Sequence, residues 1–163
     1  MGDSSIKTAV AEWLSDATAA EAKYGHISTW DTGGVTDMKE LFCAESSDCS
    51  SFYNSVAEYF NEDIGAWDTS GVTTTSRMFQ SAWSFNQDLG DWRVDNVMDM
   101  RYMLKNVLDF DQDLGWCVDT SVNKNNAFAG SACAATACGV VQKDNCASVM
   151  DDTTIREAVS TYL

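Results

Sequence analysis

Phe85-Asn86-Gln87-Asp88-Leu89-Gly90 decides how this chain is read, because it has two relatives at a fixed interval. Phe60-Asn61-Glu62-Asp63-Ile64-Gly65 begins 25 residues before it, and Phe110-Asp111-Gln112-Asp113-Leu114-Gly115 begins 25 residues after it. A period of that size predicts a solenoid, in which each copy buries its apolar face only against its neighbours. Residues that look like chemical motifs must then be weighed first as columns of a repeat.

Counted from each Phe, the fifth position is Ile64, Leu89 and Leu114, and the eighth is Trp67, Trp92 and Cys117. The thirteenth is Val72, Val97 and Val122; the nineteenth is Met78, Met103 and Phe128, followed by Phe79, Leu104 and Ala129. An earlier copy fits the same frame with Ile27, Trp30, Val35, Met38, Leu41 and Phe42. It lies 37 residues ahead of the next, so it carries a 12-residue insertion within 43–59. In each copy a first half of isolated apolar residues among Gly, Ser, Thr and Asp predicts extended backbone and tight turns. A second half such as Val72, Thr75, Met78, Phe79 and Ala82, at three- and four-residue steps, predicts about two turns of helix. Thr36-Asp37 or Thr73 would cap it.

The expected fold is therefore an α/β solenoid with leucine-rich-repeat-like right-handed coils of about 25 residues, each a short parallel strand, a turn and a short helix. Residues 1–24 form an N-terminal capping helix in this reading, and 25–146 form four coils ending in a disulfide-stapled segment. Residues 150–163 read as the start of a next module. The stretch 1–14, opening Met1-Gly2-Asp3-Ser4-Ser5-Ile6, matches 150–163, opening Met150-Asp151-Asp152-Thr153-Thr154-Ile155, at a constant offset of 149. Ile6, Val10, Trp13 and Leu14 correspond to Ile155, Val159, Tyr162 and Leu163, and these eight residues are the expected assembly interface. The economical reading is a superrepeat, with adjacent tandem modules or copies of the chain itself as partners.

A net charge of −15, with ten scattered Lys and Arg residues, argues against a nucleic-acid partner. No apolar stretch reaches the roughly 20 residues of a membrane span. No signal peptide is visible at the start of the chain. Six cysteines are an even number: Cys43 and Cys49 bracket the insertion, whereas Cys117, Cys133, Cys138 and Cys146 cluster where the repeat decays. Disulfides in an oxidising compartment are the expectation, Cys43 with Cys49 and two bonds within the last four, whose pairing stays open. Zinc on the clustered cysteines is the competing reading, weakened by the lack of a Cys-x-x-Cys pair.

The segments 85–92 (Phe-Asn-Gln-Asp-Leu-Gly-Asp-Trp) and 67–73 (Trp-Asp-Thr-Ser-Gly-Val-Thr), with Met78-Phe79, resemble the BspA-like surface-protein repeat. That family is a divergent relative of leucine-rich repeats in microbial and algal surface proteins, and the resemblance covers roughly residues 24–140. Gly115-Trp116-Cys117-Val118-Asp119 onward to Val141 resembles the cysteine-bearing end of such arrays. The resemblance implies a non-enzymatic, extracellular or cell-surface module with a structural or adhesive role, and it supplies no catalytic residues.

Several columns could carry chemistry. His26, Asp63, Asp88 and Asp113 share one column; stacked carboxylates must cap turns, splay into solvent or bind a cation. Calcium on Asp63, Asp88 and Asp113 is the cofactor reading, and turn-capping is the plainer one. Trp30, Trp67 and Trp92 could stack on glycans if exposed, but Trp beside aliphatics at a repeat position is usually core. The Asn61–Asn86–Asp111 column reads as an internal hydrogen-bond ladder. The Thr/Ser-rich stretches at Thr32, Thr69-Ser70 and Thr120-Ser121 resemble flat ice-binding arrays, but their spacing is imperfect and Val94-Asp95 interrupts them. A single histidine in a repeat column gives no Ser-His-Asp set, so no enzyme is expected.

Overall fold

The computed structural model describes residues 1–49, 53–144 and 146. The expected next-module segment 150–163 thus lies outside the described residues, as does part of the insertion. Two helices open the chain, α1 (Asp3–Ser15) and α2 (Ala17–Tyr24). Ile6, Ala9, Val10, Trp13 and Leu14 recur at three- and four-residue steps, and all five are buried. The break between the helices is made by Asp16, whose extended backbone ends α1 while its side chain accepts the Ala19 N–H and caps α2. The single capping helix expected over 1–24 is therefore a pair.

Beyond α2 the copies lie one on the next in parallel. Asp37 pairs with Thr74, Thr74 with Asp99, and Asp99 with Asn123. One layer further on, at the position after the tryptophan column, strands β1 (Cys117–Val118) and β2 (Val141–Gln142) pair in parallel with Cys117 opposite Val141. The stacking is direct in the side chains. Phe60, Phe85 and Phe110 lie ring over ring at 5.9 and 6.0 Å, and Phe42 and Phe79 stack beside them at 5.4 Å. Phe42 also meets Phe60 at 4.0 Å, and Phe79 meets Phe85 at 4.1 Å, so the two aromatic columns form one core.

No helix forms in the second half of the copies from Val72 or Val97, which corrects the expected two helical turns. Instead the backbone alternates its donors. The N–H groups of Thr75, Arg77, Phe79 and Ser81 go to the carbonyls of Asp99, Arg101, Met103 and Lys105 in the next copy. Those of Met78, Gln80 and Ala82 turn back to Thr75, Arg77 and Phe79. The same alternation links Met100, Tyr102, Leu104 and Asn106 to Asn123, Asn125, Ala127 and Ala129. It requires left-handed backbone at Arg77 and Ser81, and again at Tyr102, Asn106 and Asn126, which a helix would not tolerate. Three-residue turns and helices give the same apolar spacing, so periodicity alone could not separate them. The gain from leaving the helix is a hydrogen bond between copies for every second residue.

That ladder also corrects the frame at the last copy, where the step shortens to 24. Leu104 donates to Ala127 as Phe79 donates to Met103, so Phe128 joins the Phe42–Phe79–Leu104 column rather than the methionines. Likewise Trp116, not Cys117, completes the tryptophan column, and it is buried.

At the open end α1 supplies what a preceding copy would. Within the stack the Thr73 N–H donates to the Thr36 carbonyl, and the Met98 N–H to the Thr73 carbonyl. Thr36 has no earlier copy, and its N–H donates to Asp3 Oδ1 at 2.7 Å, joined by the Asp37 N–H at 3.0 Å. These two backbone bonds, Thr36 first, hold the Asp3 carboxyl below its ordinary value of 3.8 despite partial burial. A depressed pKa contributes stability that is present above the ordinary value and lost as the pH falls through the depressed one. Acid titration from about pH 5 to 2 should therefore destabilise the native chain more than an Asp3→Asn chain. Equal acid sensitivity of the two melting curves would contradict this role.

Candidate functional site

The columns that resembled chemistry are joined by hydrogen bonds, and the tryptophan column is turned inward. Each tryptophan sends its indole N–H to a carbonyl of the preceding turn: Trp30 to Gly25, Trp67 to Ile27, Trp92 to Ile64 and Trp116 to Leu89, at 2.9–3.2 Å. All four are buried, and Trp30 stacks on Trp67 at 6.1 Å. This removes the tryptophan column as a glycan platform. Trp67→Phe should cost about 0.5–1.5 kcal/mol, because it removes one of the two donors to the buried Ile27 carbonyl, leaving the Trp30 N–H at 3.4 Å, while keeping an aromatic ring in place. Urea denaturation measures it, and a loss below about 0.5 kcal/mol would show that the bond contributes little.

The threonines behave similarly. Thr32 and Thr69 are buried and donate to the Asp68 and Arg93 carbonyls of the following copy. Thr120 donates to the Asp144 carboxylate. The Thr32 and Thr69 hydroxyls, spent inside the stack, cannot present a flat face to ice. The amide column is a ladder: Asn61 Oδ1 accepts the Asn86 N–H at 2.9 Å, and Asn86 Oδ1 accepts the Asp111 N–H at 3.0 Å. Gln87 and Gln112 brace it by donating to the same two oxygens.

Asp63, Asp88 and Asp113 each accept the N–H two residues on, from Gly65, Gly90 and Gly115, at 2.8–3.1 Å. His26 does the same through Nδ1 for the Ser28 N–H. This is turn-capping by short polar side chains. Gly65 is required for a different reason, since a Cβ there would sit 2.8 Å from the Asp88 carbonyl of the next copy. Asp63, Asp88 and Asp91 are exposed and line one shallow recess of about 410 Å³. Among the described residues no group of three or more His, Cys, Asp or Glu side chains is gathered as metal ligands.

The cysteines form three pairs, Cys43–Cys49, Cys117–Cys146 and Cys133–Cys138. The clustered four are thus divided between two disulfides. The insertion is also tied back by Asp48. Its carboxylate accepts from Gln80 Nε2 at 2.7 Å and lies 3.5 Å from Lys105 Nζ. Those partners, the Gln80 amide foremost, hold the Asp48 carboxyl below the usual range. Lys105 and Arg77 both lie over the Tyr102 ring, within 5.2 and 4.8 Å of its centre.

The outward apolar residues are ones that the repeat columns did not single out. Trp83 and Leu108 occupy equivalent positions in adjacent copies, linked by the Asp109 N–H donating to the Trp83 carbonyl, and they are 47% and 57% exposed. Tyr59, Val56 and Tyr53 of the insertion are exposed too. The available signal was the column itself: 25 residues before Trp83 stands Glu58, a residue that belongs outside.

Among the described residues no helix is long and apolar enough to cross a membrane. Every cysteine is in a disulfide, the chemistry of a protein from an oxidising, non-cytoplasmic compartment. No curated protein and no solved structure matches the chain. Residues 8–138 match the family model described as "Mycoplasma protein of unknown function, DUF285". That span takes in most of α1, all of α2 and nearly all of the stacked copies, and the chain therefore belongs to the DUF285 family.

Proposed function

We propose that this chain is a non-enzymatic structural and adhesive module of an extracellular or cell-surface protein. It would be built as a leucine-rich-repeat-like solenoid of the BspA-like kind. The observation that carries the reading is the fate of the repeated polar columns. Trp, Thr, Asn and Asp side chains that could have served a ligand instead bond the backbone of their own turn or of the adjacent copy. Residues committed in this way hold a scaffold together. Outward-facing groups include carboxylates such as Asp63, Asp88 and Asp91, in keeping with the net charge of −15, and the Trp83–Leu108 stripe, a surface suited to contact rather than catalysis. The disulfides support an extracellular location.

Antibodies against the chain should label intact cells of its source; label that appears only after permeabilisation would overturn the surface assignment. Beads coated with the chain should clump, and Trp83→Ser/Leu108→Ser beads should stay dispersed; dispersed native beads would overturn self-adhesion. The alternative is a ligand-binding module using the acidic face, with calcium near Asp63, Asp88 and Asp113, or glycans at the exposed aromatics. Saturable heat with calcium that vanishes in an Asp63→Asn/Asp88→Asn chain would favour the metal form. Specific signals on a glycan array would favour the other.

A further inference from the structure

The contacts of α1 contain a polar code that the end of the chain repeats. Asp3 Oδ1 accepts the Thr36 and Asp37 N–H groups, its Oδ2 accepts the Thr36 hydroxyl at 2.9 Å, and Lys7 Nζ donates to Asp37 Oδ2 at 2.6 Å. At the offset of 149, Asp3 corresponds to Asp152 and Lys7 to Arg156. The buried positions correspond as well: Ile6, Val10 and Leu14 recur unchanged as Ile155, Val159 and Leu163. Ala9 recurs as Ala158, and Trp13 becomes Tyr162.

The outward positions do not recur. Ser4, Ser5, Thr8 and Ala11 are replaced by Thr153, Thr154, Glu157 and Ser160, and Glu12, which pairs with Lys23 of α2 rather than with the first copy, is replaced by Thr161. General amphipathicity would keep the apolar stripe alone. It would not keep a carboxylate and a cation four residues apart at the two places where α1 bonds the first copy. Contact positions that are identical or, at Lys7/Arg156 and Trp13/Tyr162, exchanged for a like residue, beside divergence of exposed ones, are what a shared docking site demands.

We propose that residues 150–163 are the cap of a second copy's first turn, taking there the place that α1 takes here. Asp152 would receive that copy's Thr36 and Asp37 N–H groups, and Arg156 would pair with its Asp37 carboxylate. The occupant of the α1 site is thereby named as this segment of a neighbouring module, joined in tandem. This rests on the structural-module reading and deepens it.

The test replaces residues 1–14 of the full chain by the sequence of 150–163. The graft should melt within about 5 °C of the native chain and form the same three disulfides. Asp152→Ala within the graft should lower Tm by about 2–4 °C, the shift expected of roughly one lost capping interaction, and as much as Asp3→Ala lowers it in the native chain. A graft that melts no higher than one carrying a scrambled amphipathic sequence would overturn the proposal, as would indifference to both Asp152→Ala and Arg156→Ala. A second measurement covers the tandem arrangement, using a fusion in which Leu163 runs directly into Ser15 of another copy. Both copies should resist protease, and Ile155→Asp should open the second alone. A second copy that is digested without that substitution would overturn tandem capping. Either failure would leave surface labelling of intact cells unchanged, so the two readings fail separately.

Discussion

A Phe79→Ala chain should lose about 3–5 kcal/mol of stability, the largest effect expected of any single side chain here. Phe79 is fully buried where the two aromatic columns meet, stacked on Phe42 at 5.4 Å and on Phe85 at 4.1 Å and tilted against Trp92 at 6.4 Å. Truncation removes the transfer free energy of the ring and leaves a cavity that stacked, hydrogen-bonded turns cannot collapse to fill. The lost ring pairs add about 0.5–1.5 kcal/mol each. For a chain of this length the loss corresponds to a fall in Tm of about 10 °C. Trp83→Ala, a larger truncation at an exposed site, should change stability by less than about 0.5 kcal/mol. Comparable losses for Phe79 and Trp83 would refute the assignment of inner and outer columns.

Removing Cys117–Cys146 by paired serine substitution should cost about 3–4 kcal/mol, because the bond closes a loop with a separation of 29 residues. Cys133–Cys138, separated by five residues, should contribute about 2 kcal/mol by the same chain-entropy estimate. The damage should be local. Copies contact their neighbours through a nearest-neighbour ladder, so amide exchange should quicken around Val118 and Val141, while Phe42 and Phe60 keep their protection. A uniform loss of protection along the chain would show instead that the stack unfolds as a single unit.

How much of this was legible depends on which atoms carry the information. The inward direction of Trp30, Trp67 and Trp92 could be read because a bulky apolar residue at a fixed repeat position must bury its surface. The asparagine ladder was legible for a related reason, since stacked amides complement one another at strand spacing. Trp116 was not legible. It stands next to Cys117, both suit a core, and a one-residue shortening of the copy exchanges them without disturbing composition. Only the indole bond to the Leu89 carbonyl decides between them. Trp83 was hidden by the same apolarity that made the other tryptophans easy.

The sequence by itself determined the period, the insertion, the buried aromatic and aliphatic columns and the likeness of the two chain ends, because these are properties of side-chain order. Tertiary structure decided where the backbone N–H groups go. A segment spaced at three and four residues satisfies its donors equally well within a helix or alternately within a turn and across to the next copy. The choice falls to the neighbour, whose carbonyls at Asp99, Arg101, Met103 and Lys105 stand ready to accept. Asp3 makes the same point at the open end: its role as the missing neighbour follows from Thr36, 33 residues away, and from nothing in its own helix.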